Sequence, residues 1–146
     1  MEIRRTAGSD PKARELIRRT FRQFEAPEYS EEGIRSFEAF IDDVQGMDTL
    51  DCFGAFEGEE LLGIIAAREH MSHVCLFFVR EESQGRGVGK KLWNHLLSES
   101  EAKRVTVHAS PYAVGIYERL GFFPLSEERL TDGIRYTPME YRRNSG

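Results

Sequence analysis

Cysteine is scarce in this chain: only Cys52 and Cys75 occur among 146 residues, with no spacing that suits a metal site. That speaks against a disulfide framework and a cysteine-ligated zinc, and each thiol reads as a small buried residue. Long apolar runs are also missing. The longest, Leu61 to Ala67 and Val74 to Val79, are far too short to span a bilayer. Behind Met1-Glu2-Ile3-Arg4-Arg5 there is no apolar stretch of the kind a signal peptide carries. Basic charge is not in excess either. The formal net charge is -5, so no global attraction toward nucleic acid is visible. The expectation is a protein of the reducing cytoplasm, bound neither to membrane nor to nucleic acid.

What is present suits one ordinary domain, expected over residues 1–146. A hydrophobic content of 40%, with 11% aromatic, is enough for a sizeable core. Glu2 to Thr6 reads as a short strand. Asp10 and Pro11 read as an N-cap and first helical residue, and Ala13, Leu16, Ile17, Phe21 and Phe24 keep helical period to about Glu25. Ser30 starts a second helix with the stripe Ile34, Phe37, Ile41 and Val44. Asp51 to Glu57 and Leu61 to Arg68 form a hairpin around Gly58-Glu59-Glu60, and His73 to Val79 follows as a further strand. A glycine loop then opens a helix to about Ser100. Arg104 to Ala109 is a strand, and Ser110-Pro111 begins a helix that Gly121 ends. Phe122 to Leu125 and Ile134 to Tyr141 close the chain, joined by a polar loop. The order β-αα-βββ-α-β-α-ββ predicts an α/β (α+β) fold, a mixed sheet with helices on its faces.

The most informative segment is Gln84-Gly85-Arg86-Gly87-Val88-Gly89-Lys90-Lys91. It follows a buried strand and precedes Val88, Leu92, Trp93, Leu96 and Leu97 at helical spacing. Glycines let the backbone approach a bulky ligand and turn its N–H groups inward. Arg86, Lys90 and Lys91 add positive charge at a helix start, where the dipole disfavours it; an anion such as pyrophosphate in the loop would offset that. A nucleotide-hydrolase loop is excluded, because Lys91 stands where its hydroxyl residue should be. The dinucleotide fingerprint is excluded by the alternating glycines. A plain flexible turn is the other reading of the loop taken alone.

Two motifs together carry a resemblance. Gln84-Gly85-Arg86-Gly87-Val88-Gly89 is similar to the pyrophosphate loop of the GNAT family, the acetyl-CoA-dependent N-acetyltransferases. Ala113 with Ile116-Tyr117-Glu118-Arg119-Leu120-Gly121-Phe122 resembles that family's second signature, a Tyr shortly before Gly-Phe. Both stand in the family's order, and the element order agrees over nearly the whole chain. The resemblance implies a largely antiparallel sheet of about seven strands, splayed at the cofactor cleft. It implies acetyl-CoA as co-substrate, no metal, and a small-molecule amine or a protein amine as acceptor. A homodimer is compatible with it. A non-catalytic CoA-binding sensor or interaction module on the same fold is the alternative.

Carried over by position, Phe77, Phe78 and Val79 lie along the pantetheine arm, and Gln84, Gly85, Arg86, Gly87, Val88, Gly89 and Lys90 hold the pyrophosphate. Many members have Asn seven residues before the Tyr; here Ser110 stands there, either contacting the arm or only capping a helix. The chemistry implied is direct aminolysis, which needs a base, oxyanion donors and an acid. Tyr117 fits the acid by resemblance; without it, Tyr117 reads as a core aromatic beside Ala113 and Leu120. For the base, His73 stands eleven residues before Gln84, an offset at which histone acetyltransferases of the family carry a catalytic Glu. His73, Cys75 and Phe77 should share a strand face. His73 as a mere turn-closing residue, His108 as base, and a water chain all stay open. His70 with His73 makes a poor metal pair, and His95 carries no hypothesis. Glu25, Glu28, Glu31 and Glu32 read as a solvated helix start, with attraction of a cationic amine as the alternative. Phe24, Tyr29 and Phe37 either line an acceptor pocket or pack the helices.

Overall fold

The computed structural model describes residues 1–143. Strand β1 (Glu2–Arg5) leads to helix α1 (Pro11–Phe24). Asp10 caps α1 by accepting from the Lys12 N–H at 3.0 Å, with Pro11 in the first turn. After a 3₁₀ turn, Ala26–Glu28, comes α2 (Glu31–Asp42), capped by the Ser30 hydroxyl, which accepts from Gly33 N–H at 3.2 Å. The expected stripe on α2 ends one residue group early. Asp43 caps a separate short helix, α3 (Val44–Asp48), so Val44 leaves the stripe and is exposed. Strands β2 (Asp51–Glu57), β3 (Glu60–Arg68) and β4 (His73–Val79) form the antiparallel meander. Helix α4 (Val88–Glu99), β5 (Arg104–Ala109), α5 (Val114–Arg119), β6 (Phe123–Pro124), β7 (Arg129–Thr131) and β8 (Ile134–Arg142) complete the chain.

The sheet has eight strands in the order β1-β2-β3-β4-β5-β8-β6, with β7 paired to β8. Every pairing is antiparallel except β4 with β5. The strand beyond the expected seven is β7. It lies in what reads from sequence as a polar loop, and it turns into β8 through Asp132 and Gly133, both at positive φ. Asp-Gly with positive φ at both central residues is the type I′ hairpin turn.

Apolar residues alternate along the strands and build a core on each face. One face packs Phe53, Ala55, Ile65 and Val107 under Val88, Leu92, Trp93 and Leu96 of α4. The other packs Cys52, Ile64, Ala66 and Leu76 under Leu16, Ile17 and Phe21 of α1 and Ile41 of α2.

Two local features open the sheet. First, β4 and β5 are in register only at His73–Thr106 and Val74–Val107, after which they diverge. The β5-facing backbone groups of the rest of β4 therefore have no strand partner, which an apolar interior does not tolerate without a ligand or water. Second, the β3–β4 register shifts by one residue: Ala66 faces Leu76 but Ala67 faces Val74, leaving Cys75 as the bulged residue. Val74 accordingly joins the α4 face while Leu76 and Phe78 join the α1 face. This corrects the expectation that His73, Cys75 and Phe77 share a face. A bulge reverses the alternation, so His73 lies on the side opposite Val74, and Phe77 on the side of α4.

Candidate active site

The divergence of β4 from β5 leaves two cavities that meet. The first, about 330 Å³, runs beside the end of β4 to the glycine loop. Phe77, Phe78, Val79, Gln84, Gly85, Gly87, Val88 and Gly89, all expected at the cofactor site, line it. Gly85 and Gly87 sit at φ of 80° and 79°, in the left-handed region, with no atom within 4 Å of where a Cβ would stand. Their role is conformational: the chain turns here so that Gly87 can start α4. The inner surface of the loop is thus open to a bulky anion, and the N-terminal amides of α4 face it. Gln84 ties the loop back to the strand, its side-chain amide donating to the Val79 carbonyl at 3.1 Å.

Arg86 and Lys90 do not line this cavity. Arg86 turns outward to Glu57 at 2.9 Å, and Lys90 is exposed. The cation on the wall is Arg119, from the last turn of α5. Sequence reasoning placed Arg119 only inside the Tyr motif. The available signal was a cation in the same short helix as Tyr117, two residues on. Phe24 and Tyr112, stacked at 5.0 Å, bound the cavity on the α1 side.

The second cavity, about 340 Å³, lies between β4, β5, the α1–α2 connection and the β7–β8 hairpin. His73, His108 and Ser110 line it. His73 Nδ1 is 2.8 Å from the Thr106 hydroxyl, and its ring is 5.0 Å from His108. Burial first, then the Arg68 guanidinium and His108, push its pKa down to about 4. His108 is exposed, stacks on Tyr136 at 4.4 Å, and is also held below the ordinary histidine value by partial burial and by Arg68 and Arg129. Ser110 is buried. Its hydroxyl accepts from Ala113 N–H at 3.3 Å, closing the turn before α5, and it lies on the wall of this second cavity rather than of the first.

Glu25, Phe77, Phe78, Ala113 and Tyr117 line both cavities, so they form the wall where the two meet. Tyr117 is buried, with its ring 5.1 Å from Phe122 and 5.9 Å from Phe77. Phe122 returns onto it because the turn at Gly121 lets Phe122 N–H donate to the Tyr117 carbonyl at 3.0 Å. Burial, with the Glu25 carboxylate second, holds the phenol above its usual range, so it keeps its proton.

Glu25 is the residue that sequence reasoning placed wrongly in kind. Glu31 and Glu32 are exposed in the first turn of α2, as a solvated helix start should be. Glu25 instead ends α1, its N–H bonded to the Phe21 carbonyl at 2.9 Å, and its own carbonyl starts the 3₁₀ turn by accepting from Glu28 at 2.9 Å. That backbone aims the carboxyl inward, beside the hydroxyls of Ser110 and Tyr29. Burial pushes its pKa up to about 7, against the pull of Ser110 and with a smaller push from Glu28. The signal was Pro27: it stops α1 and bends the chain back over the sheet. Of the three aromatics expected at an acceptor pocket, Tyr29 and Phe37 line the second cavity, while Phe24 lines the first.

Among the described residues no group of three His, Cys, Asp or Glu gathers as a metal site, and no helix is long and apolar enough to cross a membrane. The sequence matches the profile of the acetyltransferase (GNAT) domain over residues 25–143. None of the curated proteins matches it significantly. Among solved structures, a GCN5-related N-acetyltransferase from Rhodopseudomonas palustris superposes with a TM-score of 0.78 at 19% identity, covering 97% of this chain and 95% of that one. The PaiA N-acetyltransferase of Thermoplasma acidophilum, solved with coenzyme A, gives 0.70 at 22% identity over 97% and 98%. Escherichia coli YjaB gives 0.73 at 19% over 96% of each chain.

Proposed function

Because the chain belongs to the GNAT family of acetyltransferases, we propose that it transfers an acetyl group from acetyl-CoA to a primary amine, by direct attack while both are bound. The observation that carries this reading is the shared wall. A donor cavity beside the glycine loop and an acceptor cavity under the β7–β8 hairpin meet at Glu25 and Tyr117. A module that only sensed CoA would need the first cavity and not the second.

The residues present fit the co-substrate. The open inner face of Gly85 and Gly87 suits a pyrophosphate, Arg119 adds a cation, and the unpaired edge of β4 suits the amides of a pantetheine arm. Acetyl-CoA, when bound, supplies an activated thioester carbonyl. Backbone N–H groups of the free β4 edge would donate to its oxygen as negative charge develops. Glu25, poised near neutrality, takes a proton from the incoming ammonium, so that the amine nitrogen attacks with its lone pair free. Tyr117, kept protonated, gives its proton to the sulfur as the C–S bond breaks, and the proton that the new amide nitrogen sheds restores the phenol. His73 is the second base in this reading; with its pKa near 4 it would work as a hydrogen-bonding partner through Thr106 more readily than as a proton acceptor at pH 7.

The test is thiol release from acetyl-CoA in the presence of a panel of primary amines, with product mass measured in parallel. Amine-dependent thiol release with a 42 Da gain on the amine, roughly the acetyl increment, supports the reading. Tight CoA binding with no release from any amine would favour the sensor alternative.

A further inference from the structure

Resting on the acetyl-transfer reading of this same site, we propose that the acceptor is a small primary amine with a flat, aromatic-sized body. It would be a free amine rather than one presented on a peptide chain. Two independent features lead there. The first is the clasp along one side of the acceptor cleft. The β7–β8 hairpin is clasped to α2: the Ser30 hydroxyl donates to the Gly133 carbonyl at 3.3 Å, and the Ser36 hydroxyl donates to the Asp132 carbonyl at 3.1 Å. The contact is tight enough to require glycine in a helix. A Cβ on Gly33 would stand 2.3 Å from the Gly133 carbonyl oxygen. The hairpin thus joins β8 to α2 and closes that side of the cleft, leaving no open groove for an extended chain between them. What remains is a cleft of about 340 Å³, at the small end of the range for ligand pockets, with Arg68, His108 and Asp132 exposed at its mouth.

The second feature is the lining. Tyr29, Phe37, Phe40, Phe78, His108 and Tyr136 present rings from the α1–α2 connection and four different elements, α2, β4, β5 and β8. Phe37 is held edge-on to Phe78 at 6.2 Å and stacked on Phe21 at 4.0 Å, so its orientation is fixed by the core. His108 and Tyr136 stack at 26° and offer a flat face on the opposite side. Rings attract both another aromatic ring and an alkylammonium passing over their faces. Glu25 stands at the inner end, where the amine must arrive. The other charged members, Arg68 and Asp132, are both exposed. A long polyamine would find Glu25 and Asp132, with Arg68 opposing it, but few acceptors along its length.

The experiment compares 2-phenylethylamine, butylamine, spermidine and a blocked lysine peptide as acceptors. The expected kcat/KM for 2-phenylethylamine exceeds that for butylamine by about 10–100-fold, the range that one well-formed apolar subsite gives; spermidine and the peptide fall below butylamine. The Tyr136→Leu variant, and separately Phe40→Ala, should each cut the ratio of 2-phenylethylamine to butylamine by about tenfold, two sites guarding against a variant that misfolds. Binding of the same amines to the protein with CoA present, read by thermal shift, gives a measure without turnover. Preferential binding of 2-phenylethylamine with no thiol release would sink the acetyl-transfer reading and leave the cavity assignment standing. Turnover that is best with spermidine or with the peptide would overturn the cavity assignment and leave acetyl transfer standing.

Discussion

The donor cavity takes about half of its lining from one stretch, residues 77–89, with three glycines, and the rest from α1 and its end, the turn before α5, and α5. The acceptor cavity draws side chains from β4, β5, the α1–α2 connection, α2 and the β7–β8 hairpin. The first is centred on one glycine-rich stretch, and the second is assembled from more distant segments. A backbone site tolerates side-chain change and depends on φ, ψ. A side-chain site depends on chemistry at each position. The difference teaches where substitutions should act: near the glycine loop through conformation and binding, at the shared wall and beyond it through rate and selectivity.

The largest effect is expected at the shared wall. Tyr117→Phe keeps the ring against Phe122 and Phe77 and removes only the proton donor. Loss of general-acid help costs about 10²–10⁴ in kcat, while CoA affinity, measured by calorimetry, should barely change. A normal kcat in the folded Phe variant would return Tyr117 to a packing role. A slow, stable variant favours catalysis over sensing, since a binding module has no use for that proton.

Glu25→Gln comes next and tests the boundary between the two cavities. The base must be unprotonated, so kcat/KM should fall as pH drops below about 7 if Glu25 serves, and only near pH 4 if His73 does. Glu25→Gln should lower kcat by about 10²-fold and remove the limb near 7; His73→Ala should leave that limb in place. The same shift has a stability consequence of opposite direction. Its folded-state pKa is raised above the unfolded value, so the protonated form is favoured by folding. That contribution is present below the unfolded pKa of about 4.5 and is lost as pH rises through about 7. At pH 8 the Gln variant should therefore melt higher than the parent, by on the order of 1–3 kcal/mol or several degrees, and the gain should shrink toward pH 5. An equal gain at both pH values would remove the burial argument for Glu25.

This contrast also explains what could be read in advance. The cofactor loop, the Tyr motif and the element order are local patterns: Gln84 to Gly89 and Ile116 to Phe122 are each contiguous, and helical or alternating period marks their elements. The eighth strand escaped because β7 has three residues, all exposed, so no apolar alternation marks it; the Asp132-Gly133 pair was its one trace. The bulge at Cys75 has no sequence mark at all, and it moved His73 off the face of Phe77. Glu25 was hidden for a related reason. Four glutamates near a helix start look alike in sequence, and only the fold decides that one of them is covered by Ser110 and Tyr29 while others stay in water.

A smaller effect is expected in the donor loop. Gly87→Val puts a β-branched side chain at φ of 79°. Space is not the obstacle, since nothing lies within 4 Å of the new Cβ. The left-handed conformation itself costs about 1–2 kcal/mol for an ordinary residue, and more for a branched one. The start of α4 should shift to relieve it, and CoA should bind roughly tenfold or more weakly by calorimetry. Unchanged affinity in a folded variant would show that the loop does not hold the pyrophosphate.

The smallest effect separates two arginines. Arg86 lies within the glycine motif and Arg119 outside it, so sequence position favours Arg86 as the phosphate cation. The geometry favours the other. Arg86 reaches Glu57 at 2.9 Å, both side chains about half exposed at 53%, and it is off the cavity wall. An exposed pair of this kind contributes about 0–1 kcal/mol and is screened by salt. Arg86→Ala should thus alter the Kd for CoA by less than about twofold. Arg119 is on the wall, yet it also ends α5, where a cation is favoured by the helix dipole alone. The two roles differ in what they respond to. A dipole role would move the melting temperature of the free protein and leave CoA affinity alone. A phosphate role would weaken CoA by about five- to tenfold, with a loss that fades at high salt or for pantetheine, which lacks the pyrophosphate, because a charge-assisted hydrogen bond is removed. A larger affinity loss from Arg86→Ala than from Arg119→Ala would reverse the assignment and require Arg86 to leave Glu57 when the ligand binds.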